Sequence, residues 1–324
     1  MPIEQVLNLV KEELQAVERE MAQNMLSEIS MIPTVSRYLI SSGGKRFRPM
    51  LLILCARLCG YNGRRAIPLA STIEFIHTAT LLHDDVVDRA FVRRGMASAN
   101  YLWGDGASVL VGDFLFTKSF SLIVKEGNLR ILEVISAATT RMAEGEVMQL
   151  VKMGDPQITE EDYFYVIINK TAVLISAACQ VGAILAAATP EREKALTDFG
   201  LNLGVAFQLV DDILDYSAEA ETLGKSIGQD LNEGKVTLPL IYILKTAPPH
   251  EKQYISQIIQ NKNRPDSDLV YLWRLIQERG GLDYTIKIAE NYVHQAKSLL
   301  SSFPSSPEKE ALLTLADYTV QRKK

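Results

Sequence analysis

Two stretches of the chain end alike: residues 73–88, IEFIHTATLLHDDVVD, and residues 201–215, LNLGVAFQLVDDILD. In each, apolar residues recur at spacings of three and four, the period of a helix, and the run closes in Asp-Asp-x-x-Asp. Residues four apart on a helix stand one above the other, so Asp84 pairs with Asp88 and Asp211 with Asp215. Asp85 and Asp212 sit about 100° round. Outward from these two stretches the same period continues almost everywhere, while alternating β-branched runs closed by Asn-Gly or Asp-Gly turns are scarce. The chain is therefore expected to be all-α. Thr159-Glu160-Glu161-Asp162 approximates a capping box, and Thr189-Pro190-Glu191 offers a cap, a proline at the first helical position and an acid in the first turn.

The 324 residues are 47% hydrophobic and 23% charged, with 12 Pro, 19 Gly and a net charge of −5. That excludes collagen-like, disulfide-scaffold and disordered classes. An acidic balance without a long Lys/Arg run argues against general nucleic-acid binding, which needs many charges neutralised at once. No Pro/Gly/Ser-rich linker divides the chain, so one domain over 1–324 is expected, with a loop-rich patch at residues 247–268, APPHEKQYISQIIQNKNRPDSD. Three cysteines, with no basic-then-apolar leader before them, point to the cytosol. Cys55 and Cys59 lie four apart, but with no second Cys/His pair nearby they read as core residues rather than a metal site. Residues 172–188, AVLISAACQVGAILAAA, stop short of the ~20 apolar residues of a membrane span and read as a buried central helix.

Carboxylates stacked at the end of an apolar helix repel one another unless a cation sits between them. Mg²⁺ is the hard, oxygen-preferring candidate, because it binds through one or two carboxylates and keeps substrate phosphates in its other positions. Two such clusters are expected to hold Mg²⁺ ions around a diphosphate. Ca²⁺ in an EF-hand is disfavoured, since that loop's spacing is absent. Positive charge stands where such a site needs it. Residues 43–49, GGKRFRP, form a compact basic loop ahead of an apolar helix; Arg93 and Arg94 follow the first acid cluster; Lys225 and Lys235 follow the second, in LGKSIGQDLNEGK.

In order, GGKRFRP, LLHDDVVDRAFVRRG, the pair Lys170-Thr171, GVAFQLVDDILD and GKSIGQDLNEGK resemble the motif set of the trans-isoprenyl diphosphate synthases, most closely the long-chain bacterial polyprenyl type. The resemblance implies a single-domain antiparallel helix bundle around a central cavity. It implies a prenyltransferase that joins isopentenyl diphosphate head-to-tail to an allylic diphosphate such as farnesyl diphosphate. Asp84, Asp88 and Asp211 would be direct Mg²⁺ ligands, with Asp85, Asp212 and Asp215 in support or acting through water. Arg93, Lys170, Lys225 and Lys235 would hold the allylic diphosphate. Lys45, Arg48, His77 and Arg94 would bind isopentenyl diphosphate. Thr171 and Gln208, with backbone carbonyls where the helix kinks, would face the allylic carbocation. A single His at position 77 would otherwise read as core, and His83 has no such support.

The growing tail needs an apolar wall. The helix leading into Asp84 offers Thr80, Ala79 and Ile76, and in the family a bulky aromatic just before the first motif stops growth early. Small residues here predict a long product of about C40, octaprenyl, for a quinone side chain. Phe116, Phe120 and Ile123 form a second wall, and one of these or Ile135 is expected to be the floor. Competing readings are a C15–C20 synthase, a non-catalytic partner subunit, and a cyclase or head-to-head enzyme; the intact acid clusters and basic loop argue against the last two. The resemblance further implies a homodimer, with Ala177-Ala178 allowing close packing between subunits, and the basic tail 321–324 offers transient membrane contact for product delivery.

Overall fold

The computed structural model describes residues 1–41, 46–93, 95–216, 229–261 and 263–321. Helix accounts for 79% of it, as the periodicity predicts. Among the described residues the one strand pairing is a short antiparallel hairpin, Val92 opposite Ala97 and Arg93 opposite Met96, turned at Gly95 with a left-handed φ of 77°. The chain forms two compact units: Met1–Thr139 with Ala177–Thr197 and Phe303–Thr314, and Thr140–Ser176 with Asp198–Ser302 and Leu315–Lys324.

The first unit is organised on the Ala66–Val87 helix, which packs against the helices Lys11–Asn24, Phe47–Leu58 and Asp105–Glu126. It is apolar on nearly every side, the pattern of a helix enclosed by others. Its buried hydroxyls cost little, because Ser71, Thr72 and Thr78 each donate back to a carbonyl one turn earlier, at 2.8–3.0 Å. Cys55 and Cys179 are fully buried in this unit and Cys59 is half-buried, in keeping with core use.

The second unit packs Leu238–Thr246 against Gly281–Leu299 and Asp266–Glu278, around a core that includes Tyr163, Leu209, Tyr216, Leu238 and Ile276. The capping box at Thr159 is present: the Thr159 hydroxyl accepts from the Asp162 N–H, and the Asp162 carboxylate from the Thr159 N–H, both at 3.1 Å. The loop-rich patch expected at 247–268 is mostly a helix, Pro249–Gln260, with Ile255, Ile258 and Ile259 buried. Proline is tolerated in a helix's first turn, where N–H groups lack partners anyway, so Pro248-Pro249 starts this helix rather than preventing it.

Residues 173–185 form the buried helix expected there, and Ala177 and Ala178 are 3% and 0% exposed. That corrects their proposed role between subunits: they are consumed by packing inside the chain. Two described helices are long and apolar enough to cross a membrane, Glu160–Leu185 at 72% buried and Asp105–Glu126 at 39%. By sequence, only residues 172–188, which overlap the first of these, approach that length.

Candidate active site

The Ala66–Val87 helix is capped at its C-terminus by Asp88, so Asp84, Asp85 and Asp88 occupy its last turn. Asp211, Asp212 and Asp215 occupy the last turn of Pro190–Asp215. Helix C-termini carry unpaired carbonyls and partial negative charge, which makes them unfavourable places for acids unless a cation is bound. In the first unit Asp85 is fully buried, and the Arg93 Nε–H donates to it at 2.6 Å. Asn100 donates to the Asp85 backbone carbonyl at 3.1 Å, tying down the helix end. Asp84 and Asp88 are half-buried, as are His77, two turns upstream, and Arg48, at the start of Phe47–Leu58.

Arg46 has a different fate. It takes a left-handed φ of 47°, is 9% exposed, and donates to Glu74 and to the Ile40 carbonyl, each at 3.0 Å. This middle base of the GGKRFRP loop is thus committed to an internal ion pair. Lys45, Arg94 and Lys225 lie outside the described residues, as do residues 322–324 of the basic tail.

The helical run from Glu160 to Leu185 is interrupted, within the second unit, by one π-turn, Ile168–Ala172, which carries Lys170 and Thr171. A π-turn inserts a residue into the helical ladder and re-aims the groups around it. Two glycines make room for it. A Cβ on Gly204 would lie 2.5 Å from the Ala172 Cα, and one on Gly145 would lie 2.6 Å from the Lys170 backbone nitrogen. No side chain fits there without moving backbone.

The π-turn opens on a cavity lined among others by Tyr163, Lys170, Thr171, Gln208, Asp212, Asp230 and Lys235. A hydrogen-bonded series crosses it. The Thr171 hydroxyl donates to the Gln208 Oε1 at 2.8 Å, the Gln208 Nε2 donates to the Asp212 Oδ1 at 2.8 Å, and the Tyr163 hydroxyl donates to the Asp212 Oδ2 at 2.5 Å. Lys170 pairs with Glu146 at 2.5 Å and Lys235 with Glu233 at 2.6 Å.

Burial pushes Asp212 up to about 7, with Asp211 and Asp215 adding to the rise and the hydrogen bonds from Tyr163 and Gln208 opposing it. Asp230 is raised by burial and then by Asp212 and Asp215, while its N–H donates to the Asp215 Oδ2 at 3.2 Å. These carboxylates oppose one another's ionisation, and they offer oxygen donors only. Such a set suits a hard divalent cation. Among the described residues, no group of three or more His, Cys, Asp or Glu side chains is arranged to hold a metal by itself.

The structure thus brings Arg93 to Asp85 in one unit, and Lys170, Thr171, Gln208, Asp212 and Lys235 to one cavity in the other. Sequence reasoning had not singled out Asp230, Tyr163 or Glu146. Asp230 was visible inside GKSIGQDLNEGK; Tyr163 stands 49 positions from its partner Asp212 and gave no local signal. Of the residues expected to line the tail, Ile76 and Ala79 are fully buried, and Thr80 is half-buried with its hydroxyl on the His77 carbonyl at 2.8 Å. The Phe116 and Phe120 rings are 5.3 Å apart, and Ile123 and Ile135 are each 1% exposed.

Residues 29–276 match the family model described as polyprenyl synthetase. The octaprenyl diphosphate synthase of Escherichia coli (strain K12) is 45% identical over 322 residues, covering 99% of each chain. A solved polyprenyl synthase from Caulobacter crescentus, complexed with calcium and isoprenyl diphosphate, superposes with a TM-score of 0.95 at 41% identity, covering 100% of this chain and 98% of that one. A decaprenyl diphosphate synthase from Rhodobacter capsulatus gives a TM-score of 0.95 at 42% identity over 99% of both chains. These neighbours share the all-α helix-bundle fold, and synthases of this kind generally use Mg²⁺. With its motifs, length and helical architecture matched from end to end, the chain belongs to the polyprenyl synthetase family and is a trans-prenyltransferase.

Proposed function

We infer that this enzyme condenses isopentenyl diphosphate head-to-tail with an allylic diphosphate, such as farnesyl diphosphate, to give an all-trans polyprenyl diphosphate of about C40 for a quinone side chain. The observation that supports this best is the cavity in which two lysines, a carboxylate set and the Thr171–Gln208–Asp212 series line one space. The chain acts as one catalytic domain.

Asp84, Asp88 and Asp211 would hold Mg²⁺, supported by Asp85, Asp212 and Asp215. When bound, Mg²⁺ supplies Lewis-acid neutralisation of the charge that develops on the departing diphosphate. Arg93, Lys170, Lys225 and Lys235 bind and orient the allylic diphosphate, so that its C–O bond breaks with the leaving charge already met. Lys45, Arg48, His77 and Arg94 bind the other diphosphate, whose carrier is not ionised. Thr171 and Gln208 present oxygen to the allylic cation, and the apolar surroundings exclude water that would quench it. The isopentenyl double bond then attacks C1 of the cation, and the released diphosphate takes the C2 proton of the new unit. No side-chain nucleophile is needed.

Ala79, Thr80 and Ile76, with Phe116, Phe120, Ile123 and Ile135 beyond them, form the wall and floor for the tail. Exposed apolar side chains support a homodimer: Leu110, Val124 and Leu129 in the first unit, each more than 60% exposed, and Val147 and Val151 in the second, at 60% and 69%. A solution mass near twice 36.1 kDa is expected, and a mass of 36.1 kDa would contradict it. The three free cysteines suit the cytosol.

The activity is tested by following diphosphate release. Release is expected only when isopentenyl diphosphate, an allylic diphosphate and Mg²⁺ are all present. Release from the allylic diphosphate alone at the same rate would point to a cyclase or hydrolase instead.

A further inference from the structure

Asp212 gives both carboxylate oxygens to protein donors, one to Gln208 and one to Tyr163, and is 3% exposed. A carboxylate only accepts hydrogen bonds, whereas a carboxamide donates from one end and accepts at the other. Facing Asp212, Gln208 presents its NH₂ at 2.8 Å, which turns its Oε1 toward Thr171. The single hydroxyl proton of Thr171 is then committed to Gln208, and what remains on the Thr171 oxygen is lone pairs. With the amide reversed, NH₂ would face Thr171, and the hydroxyl proton would be free to point at a cation in the cavity.

We propose that Tyr163 is a positioning residue for the ionisation step: by occupying the second oxygen of Asp212 it fixes the carboxylate's rotation, and through Gln208 it keeps lone pairs on Thr171 toward the allylic carbon. This rests on the reading of Thr171 and Gln208 given above. Tyr163 is well placed for the task. It lies one turn into a helix pinned by the Thr159 capping box, is 4% exposed, and packs edge-on to Phe164 at 5.6 Å.

The test is Tyr163→Phe, which removes one hydroxyl from an otherwise unchanged ring. We expect kcat to fall roughly tenfold, with KM for isopentenyl diphosphate and the Mg²⁺ concentration for half-activity within about twofold of wild type. A second readout separates positioning from general loosening. A 2-fluoro allylic diphosphate destabilises the cation inductively, and the rate ratio of normal to fluorinated substrate should grow roughly threefold in the variant, because less stabilisation is supplied by the protein. The proposal is overturned if Tyr163→Phe keeps kcat within about twofold, or if its loss of rate comes with a raised Mg²⁺ requirement and an unchanged fluorine ratio. Thr171→Val distinguishes the two levels. If it leaves kcat and the fluorine ratio unchanged, the underlying reading of Thr171 fails; if it alters both while Tyr163→Phe does not, only the positioning role fails.

Discussion

Replacing Asp84 by alanine is expected to lower kcat by roughly a thousandfold or more while leaving the helical fold intact. On the proposed reading, a metal held at this helix end would be the strongest neutraliser of the charge that develops on the departing diphosphate. The fold has little reason to suffer, because Asp84 is half-buried on the last turn of Ala66–Val87 and removing an acid there relieves repulsion with the helix C-terminus. That relief is worth about 0.3–1 kcal/mol, so the melting temperature should hold or rise slightly. Asp85 would be a poorer choice. It is fully buried against Arg93, and its loss would strand a guanidinium and confuse folding with catalysis. Steady-state rates across a Mg²⁺ titration, with circular dichroism alongside, decide the matter. Activity within about tenfold of wild type would refute the metal role of Asp84.

Ala79→Phe is expected to change what the enzyme makes rather than whether it works. Ala79 lies five residues before Asp84 on the same helix, about 7.5 Å along its axis, and is fully buried. On the proposed tail wall, a phenyl ring there would block the tail after a few additions, so the main product should fall from about C40 toward C15–C20. Overfilling the core should cost about 1–3 kcal/mol, seen as a lower melting temperature in a protein that still turns over. Product lengths resolved after dephosphorylation provide the check. An unchanged distribution from a folded, active variant would remove Ala79 from the wall.

What could be read from the sequence was what is local. Period and capping chemistry gave the helices, the Thr159 box and the two acid-tipped helix ends, because each depends on residues within one or two turns of each other. The resemblance went further and set Thr171 and Gln208 beside backbone carbonyls at a helix kink, and a π-turn carries Thr171. Spacing alone would not have found it, since a π-turn has no composition of its own and here depends on Gly145 and Gly204, far away in sequence. The Tyr163–Asp212 and Arg46–Glu74 pairs, 49 and 28 positions apart, were invisible for the same reason. The helix Pro249–Gln260 was missed differently: prolines and polar residues at its ends outweighed the buried Ile255, Ile258 and Ile259 between them. Ala177-Ala178 was misassigned because small residues permit close packing equally within a chain and between chains.

The most direct test of the central claim is elongation itself. Purified enzyme is given Mg²⁺, farnesyl diphosphate and radiolabelled isopentenyl diphosphate, and the dephosphorylated products are resolved by chain length. The account predicts successive additions that accumulate at about C40. Absence of labelled product longer than the starter, with farnesyl and with any other allylic diphosphate, would contradict it and leave the chain a non-catalytic member of its family.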